Sequence, residues 1–414
     1  MTPYPSCRLS DCCVIKPPKS EARKLLKPDE LVSFVPMENL GINSKALTLE
    51  KTRKLADVSS SYTFFADNDV LLAKITPCFE NGKLGIANGL KNSVGFGSSE
   101  FIVLRPKDNL TPEYLYYFLV QPSFRTRGKA VMTGAVGHRR VPKEFIESTE
   151  IPLPSIPEQQ RIVAILDQAF ADIEKARANA EQNLKNAREL FDSYLQQVFS
   201  QRGEGWQVRP LESFSSIVNG FAFKSGDFSP NNKVKSIKIT NVGVYSFIEE
   251  CNNYLPQNYV EKYDNYRAFE GDIVVALTRT IISSGLKVAV VPSSYNTALV
   301  NQRVAAVQVD EDVMPREMLR AFLSTSIAIN YVKSNVSELM QPNLSIKDLK
   351  AFPIPVPPPG KKLSISKNID KIKHQTDQLV EIYISKIEAL NELKKSLLQK
   401  AFSGELTKGK GIAA

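Results

Sequence analysis

The sequence predicts a mixed α/β (α+β) fold: two domains in pseudo-two-fold tandem, joined by two long antiparallel coiled-coil helices. Three observations predict it. A proline-rich stretch, "IPLPSIP" at 151–157, precedes a segment without proline or glycine until Gly203, and "IPVPPPG" from Ile354 opens a second such segment. Pro152 and Pro355, Pro154 and Pro357, Leu195 and Leu398, and Phe199 and Phe402 each lie 203 residues apart, so the chain repeats itself over about fifty residues without a gap. Both segments also carry apolar residues in alternating steps of four and three, the period of a helix with one buried seam.

Residues 1–150 form the first mixed domain, in which "NDVLLAKIT" (68–76) contains a strand and "PEYLYYFL" (112–119) a short helix. Residues 151–204 form the first long helix. Its start signal is Ser155-x-x-Glu158, a capping box in which the hydroxyl accepts from a first-turn amide and the carboxylate reaches back, with Pro157 tolerated in the first turn. Its seam runs through Ile162, Leu166, Ala169, Ile173, Ala176 and Ala180 and resumes at Ala187, Leu190 and Tyr194. Residues 205–353 form the second mixed domain. "GDIVVALTR" (271–279) and "PREMLRAFL" (315–323) repeat the strand and helix of the first, and Gly220, Gly226 and Gly243 punctuate a strand, turn and strand ahead of them. Residues 354–414 form the second long helix and a tail; the helix begins between Gly360 and Ile365, with a seam from Ile365, Ile369 and Ile372 through Thr376, Leu379, Tyr383 and Lys386 to Leu390, Leu393 and Leu397. About forty helical residues span roughly 60 Å, and a helix of that length needs a partner along it. Two matching seams supply each other, and the domain between them gives the chain room to return antiparallel.

At 414 residues the chain exceeds one ordinary core. With 53 Lys and Arg against 44 Asp and Glu, the net charge of +9 is moderate and favours a polyanion contacted through chosen loops over a basic tail. Cys7, Cys12, Cys13, Cys78 and Cys251 are odd in number and form no C-x-x-C pair, which fits reduced thiols rather than disulfides or zinc. No basic region leads into an apolar run at the N-terminus, and no apolar run approaches about eighteen residues, so the expectation is a soluble cytoplasmic protein with no membrane partner.

Enzyme motifs are missing. An amino-methyltransferase needs an Asn/Asp-Pro-Pro-aromatic motif and a glycine-rich cofactor turn, and neither occurs. "GELTKGKG" from Gly404 has phosphate-loop spacing, but Gly411 replaces the Ser/Thr and no strand precedes it. His138 and His374 are the only histidines, and His374 lies on the second long helix, so a His-based hydrolase has no base to offer.

"IPLPSIPEQQRIVAILD" and "LLQKAFSGEL" resemble the entry and exit of the spacer helices in specificity subunits of type I restriction-modification systems. "FADNDVLLAKITPCFENGKLGIA" with "GFGSSEFIVLRP" resembles one kind of recognition domain of that family, and "GDIVVALTR" with "ALVNQRVAAVQ" another. The resemblance covers nearly the whole chain. It implies a non-catalytic scaffold that reads a bipartite, asymmetric site in double-stranded DNA, holding two methyltransferase subunits and, in the full complex, restriction/translocase subunits. It implies no cofactor of its own, with S-adenosylmethionine, ATP and magnesium belonging to the partners. The second copy departs from the pattern: it has "PPPGKKLSI" where the first has the Pro-Glu-Gln-Gln run.

DNA reading requires cations for phosphates and forked donors for base edges. In the first domain "FRTRGKAVMTGAVGHRRVPKEF" gathers Arg125, Arg127, Lys129, His138, Arg139 and Arg140 in what reads as a glycine-loosened basic loop, set against the plain alternative of a solvated charge run. Lys74, Thr76, Asn81 and Lys83 flank the turn after "DVLLAKI". In the second domain Arg279 ends the strand "DIVVALTR", Gln302 and Arg303 either contact DNA or buttress the fold, and Lys224 and Lys333 complete the set. Glu158, Gln159, Gln160 and Arg161 on the first long helix are available to partner subunits. The alternatives are a self-contained DNA adenine methyltransferase with diverged motifs and a coiled-coil assembly adaptor. Methyl transfer by the purified chain alone would identify the first; no DNA-dependent binding signal, either alone or with the methyltransferase, would favour the second.

Overall fold

A computed structural model describes residues 3–249, 254–283, 285–335 and 343–408; Cys251 and Gly411 lie outside them. The chain divides into two compact units, residues 1–180 with 385–414, and residues 181–384. The first holds β1 (Ser6–Arg8), β2 (Cys13–Ile15), β3 (Leu31–Val35), β4 (Lys51–Lys54), β5 (Thr63–Ala66), β6 (Val70–Ala73), β7 (Leu84–Ile86), β8 (Val94–Gly97), β9 (Phe101–Pro106) and β10 (Glu150–Pro152). The second holds β11 (Gln207–Pro210), β12 (Ser215–Asn219), β13 (Val234–Ile237), β14 (Tyr254–Leu255), β15 (Arg267–Ala268), β16 (Ile273–Ala276), β17 (Ile281–Ile282), β18 (Gly285–Leu286), β19 (Val288–Val290), β20 (Ala298–Val300), β21 (Val304–Val309) and β22 (Pro353–Val356).

The two units repeat one topology. An antiparallel sheet of order β2-β9-β6-β7 in the first corresponds to β12-β21-β16-β19 in the second. A second sheet, β4-β3-β8-β5, corresponds to β14-β13-β20-β15, and each contains one parallel pair, β3 with β8 and β13 with β20. β1 pairs with β10, and β11 with β22, where each long helix is about to begin. The cause of the repeat is visible in β6 and β16, whose residues are all buried. Side chains alternate across a strand, so Val70 and Leu72 enter one core while Leu71 and Ala73 enter another, and Ile273 and Val275 part from Val274 and Ala276 in the same way. A strand buried on both faces reads as a continuous apolar run, as these do.

A carboxylate precedes each of these strands, buried in the first unit and half-buried in the second. Asp69 accepts from the Ala66 N–H at 2.7 Å and from Arg105 Nε and Nη2 at 2.6 and 2.8 Å. Asp272, 203 residues on, accepts from the Phe269 N–H at 2.8 Å and from Gln308 Nε2 at 3.2 Å, so an amide stands where the first unit has a guanidinium.

The long helices are Ile156–Ser200 and Pro359–Ser403, 45 residues each. The second therefore starts at Pro359, ahead of the window expected from sequence, because proline suits a first helical position whose amide has no partner. Within the first unit they run antiparallel: Glu158 accepts from Thr407, and Glu174 pairs with Lys394 at 2.8 Å, so position falls on one helix as it rises on the other. Within the second unit Lys373 Nζ lies 5.7 Å from the Phe191 ring centre in the same sense. Leu398, Ala401 and Phe402 enter the first unit's core beside Ile162 and Leu166, and Leu195 and Phe199 enter the second's beside Ile369.

Two helical expectations are corrected. The Glu158 carboxylate does not fold back as a cap but receives Tyr4 and Thr407 hydroxyls. The seam holds at Ile173, Ala180 and Ala187 but leaves Leu190, Leu393 and Leu379 exposed at 55, 47 and 37%, with Lys386 exposed as well. An α-helix turns about 20° per heptad relative to a strict seven-residue stripe, so a seam extrapolated from one end rotates out of the interface. Leu195 and Leu398 replace it.

Among the described residues no helix is long and apolar enough to cross a membrane.

Candidate nucleic-acid interface

In the first unit Lys74, Thr76, His138, Arg139 and Arg140 converge on one edge, where β6 ends and β9 begins. Backbone bonds from Thr76 N to Arg139 O and from Val141 N to Lys74 O, both 2.9 Å, lace the 132–141 loop onto the chain leaving β6. Gly134 and Gly137, at φ of +123° and +83°, make the turns this return requires. Glu100 is the organising anion. It accepts from Arg140 Nε at 3.0 Å and Nη2 at 2.8 Å, and Lys74 Nζ lies 4.0 Å from its carboxylate while donating to Ser99 O at 3.0 Å. The Arg140 hydrogen bonds hold the Glu100 carboxyl below its ordinary value. Arg139 is spent inside the loop, donating twice to Met132 O, at 3.3 and 2.7 Å, and Thr76 Oγ1 turns to Met132 Sδ. His138 is exposed.

The basic-loop reading of Arg125, Arg127 and Lys129 is corrected: they lie on a helix, Pro122–Ala130. Proline at its first turn starts it, and Gly128 sits in its interior because a Cβ there would come within 2.4 Å of the Phe79 ring. Arg125 is half-buried and donates to Asn43 Oδ1 at 3.0 Å; burial pushes its guanidinium pKa down. Lys129 lies 3.4 Å from Glu80, and Arg127 is exposed. Lys83 is committed to the fold, donating to Met37 O at 2.8 Å.

The second unit builds the equivalent edge from different side chains. Leu277 N donates to Arg303 O at 2.7 Å just as Lys74 N donates to Glu100 O, and the isolated bridge between Thr278 and Asn343 matches that between Ile75 and Arg140. Arg279 thus stands at the Thr76 position, and Leu277, Arg303 and Asn343 replace Lys74, Glu100 and Arg140. Arg279 does not end its strand, as expected from sequence, but lies three residues beyond it; both it and Arg303 are exposed, at φ of +50° and +72°. A positive φ outside glycine is uncommon and marks a tight turn. The buttressing role at 302–303 belongs to the backbone, with Gln302 N donating to Phe221 O at 2.8 Å, while both side chains are exposed. Lys224 and Lys333 are exposed on other elements.

The expectation that Gln159 is available to a partner is overturned. Its side chain is fully buried, accepts from Thr111 N at 2.9 Å, and donates to Asn109 O at 2.8 Å and Pro154 O at 2.9 Å, fastening the helix start to the first domain. The same device explains the departure in the second copy: Lys362, at the equivalent position, donates to Asp312 O, the counterpart of Asn109 O. Gln160 is exposed and Arg161 half-buried.

Among the described residues no cluster of three or more His, Cys, Asp or Glu side chains is placed to hold a metal ion.

Residues 4–182 and 203–392 each match the family described as type I restriction modification DNA specificity domain. The chain is 26% identical to the type I restriction enzyme EcoAI specificity subunit of Escherichia coli, over 85% of this chain and 74% of that protein. It is also 26% identical to the type I restriction enzyme MjaVIII specificity subunit of Methanocaldococcus jannaschii, over 95% and 91%. Among solved structures, a chain from work on complex assembly and conformational transition of the type I R-M system aligns over 98% of this chain and 100% of that one, with a TM-score of 0.78 at 19% identity. The HsdS subunit from Thermoanaerobacter tengcongensis aligns over 97% of each chain with a TM-score of 0.64, also at 19% identity. With two matches that together span most of its length, and one strand order used twice, the chain belongs to the type I restriction modification DNA specificity domain family.

Proposed function

We infer that the chain is the DNA sequence-specificity subunit of a type I restriction-modification complex, reading a split, asymmetric site in duplex DNA. The observation that carries this is the pair of equivalent edges with unlike chemistry: Lys74, Glu100 and Arg140 in one unit, Leu277, Arg303 and Asn343 in the other. Two identical edges would suit a palindrome; two different ones suit two different half-sites. The paired helices act as the spacer, and half-sites about one DNA turn apart, 34 to 36 Å, lie on one face of the duplex. The chain has no catalytic role in this reading. Two methyltransferase subunits bring S-adenosylmethionine and flip the target adenine, and restriction/translocase subunits bring ATP and magnesium. The exposed helix-start residue Gln160 faces solvent for contact with those partners, whereas Glu158 is engaged by Tyr4 and Thr407.

Sequencing methylated adenines in a host carrying and lacking the gene tests the reading. A bipartite motif with two unlike half-sites, present only with the gene, is expected. A palindrome, or no new motif in the presence of the methyltransferase, would refute it.

A further inference from the structure

A cleft of about 430 Å³ opens in the first unit beside the Glu100 edge. Lys16, Lys19 and Lys143 line it together with Lys74 and Arg140, and no carboxylate belongs to the lining. Its apolar wall includes Phe64 and Phe101, both buried, and Ser61, Thr63 and Ser99 add hydroxyls. The cations come from three stretches far apart in sequence, so no charge run in the sequence announces the site.

The side chains are held there at a cost. Lys16 sits at φ +61°, a left-handed conformation rare outside glycine, fixed by its N–H to Val103 O at 2.8 Å. Lys19 donates to Ser60 O at 2.7 Å, and burial, then Arg23 and Lys16, push its ammonium pKa down. Lys143 is shared with Glu147 at 2.5 Å, and Lys74 and Arg140 with Glu100, while Lys16 and Lys19 repel each other beside the apolar wall, a repulsion that an anion in the cleft relieves. The anion that adjoins this edge in the proposed function is a DNA strand, and an ammonium serves phosphate as a point charge without reading a base.

We propose that this cleft is the phosphate track of the first recognition domain, gripping the sugar–phosphate backbone of duplex DNA through Lys16, Lys19 and Lys143. The proposal rests on the DNA-reading function above. It assigns grip to the cleft and leaves discrimination to the adjoining edge.

The test is fluorescence anisotropy of the full chain with a labelled 40-base-pair duplex of arbitrary sequence, the probe length being a choice of about four helical turns, between 50 and 200 mM KCl, a range over which phosphate contacts are read out strongly. Compared with wild type are Lys16→Ala/Lys143→Ala, the charge-conserving Lys16→Arg/Lys143→Arg, and Lys367→Ala/Lys371→Ala, which removes the same charge from exposed positions on the second long helix. Each lost phosphate contact flattens the log K against log salt slope by about 0.9, so the cleft variant should lose about 1.8 and bind tens of times more weakly near 100 mM. The arginine pair should keep the wild-type slope, and so should the helix control. An unchanged slope in the cleft variant overturns the proposal while the DNA-reading function stands, and so does an equal loss in the helix control, which would mark a net-charge effect. Absence of duplex binding by wild type, both alone and with the methyltransferase added, overturns both. If the double alanine variant does not fold, Lys143→Gln, at a half-exposed side chain, reads one contact, a loss of about 0.9 in slope.

Discussion

Replacing Arg105 by leucine strands Asp69, and the size of the effect follows from the contacts around that carboxylate. Asp69 has no exposed side-chain surface, and two of its three hydrogen-bond donors are on Arg105. Only the Ala66 N–H remains in Arg105→Leu, and the second anchor of the guanidinium, Glu21 at 2.5 Å, is released as well. Removing one partner of a buried pair costs about 3–5 kcal/mol. In a unit of this size each kcal/mol lowers Tm by about 2–4 °C, so calorimetry should record a fall of roughly 6–20 °C. Burial already raises the Asp69 pKa, and loss of Arg105 raises it further. A folded-state pKa above the unfolded value gives stability that is present below the unfolded pKa and lost as pH rises through the folded one. The variant's deficit relative to wild type should therefore be smaller at about pH 5 than at about pH 7.5. Arg105→Gln, which copies Gln308 beside Asp272, should cost distinctly less than leucine because one donor is restored. A leucine variant within about 1 kcal/mol of wild type, or one whose deficit is the same at both pH values, would refute the reasoning.

Thr376 Oγ1 is buried without a hydrogen-bond partner on the helix seam, so Thr376→Val should raise stability by about 1 kcal/mol in denaturant titration. Gln159→Ala leaves two backbone carbonyls and one amide unpaired at the helix start, and chemical denaturation should show a loss of about 2–4 kcal/mol. Inserting one heptad after Asn183 and another at the facing Ile382 lengthens the helical pair by about 10 Å, and the methylated motif should keep both half-sites while its gap grows by about three base pairs. An insertion in one helix alone breaks the antiparallel register and should abolish methylation instead. Glu100→Gln removes an anion whose pKa is depressed by Arg140; the wild type should lose that contribution as pH falls through the folded carboxyl value, and the variant should show no such loss in melts across the acid range.

The long helices and the repeat were legible because their signals are local and redundant: proline punctuation, a 203-residue offset and apolar steps persisting over 45 residues. The small sheets were less so. β14 and β15 have two residues each, and β3 pairs with β8 across four intervening strands, so their partners are set by tertiary packing that no short pattern encodes. Arg125, Arg127 and Lys129 looked like a loop because Gly128 is a poor helix former, yet close approach to Phe79 demands glycine there. Gln159 looked like surface within a polar run; its burial depends on Asn109 and Thr111, forty-eight or more residues away. The edge candidates were found by charge, whereas Lys16, Lys19 and Lys143 come together only through the fold.

Phe402 closes the first unit's core, its ring 5.0 Å from Tyr114 and 5.5 Å from Phe118. During synthesis that closure waits. At about 5–20 residues per second, the ribosome needs roughly 10–40 s to travel from the end of the first long helix to Phe402. Until then the nascent first domain exposes the aromatic face that Leu398, Ala401 and Phe402 later cover, so a chain ended early would leave uncovered apolar surface of the kind that aggregates.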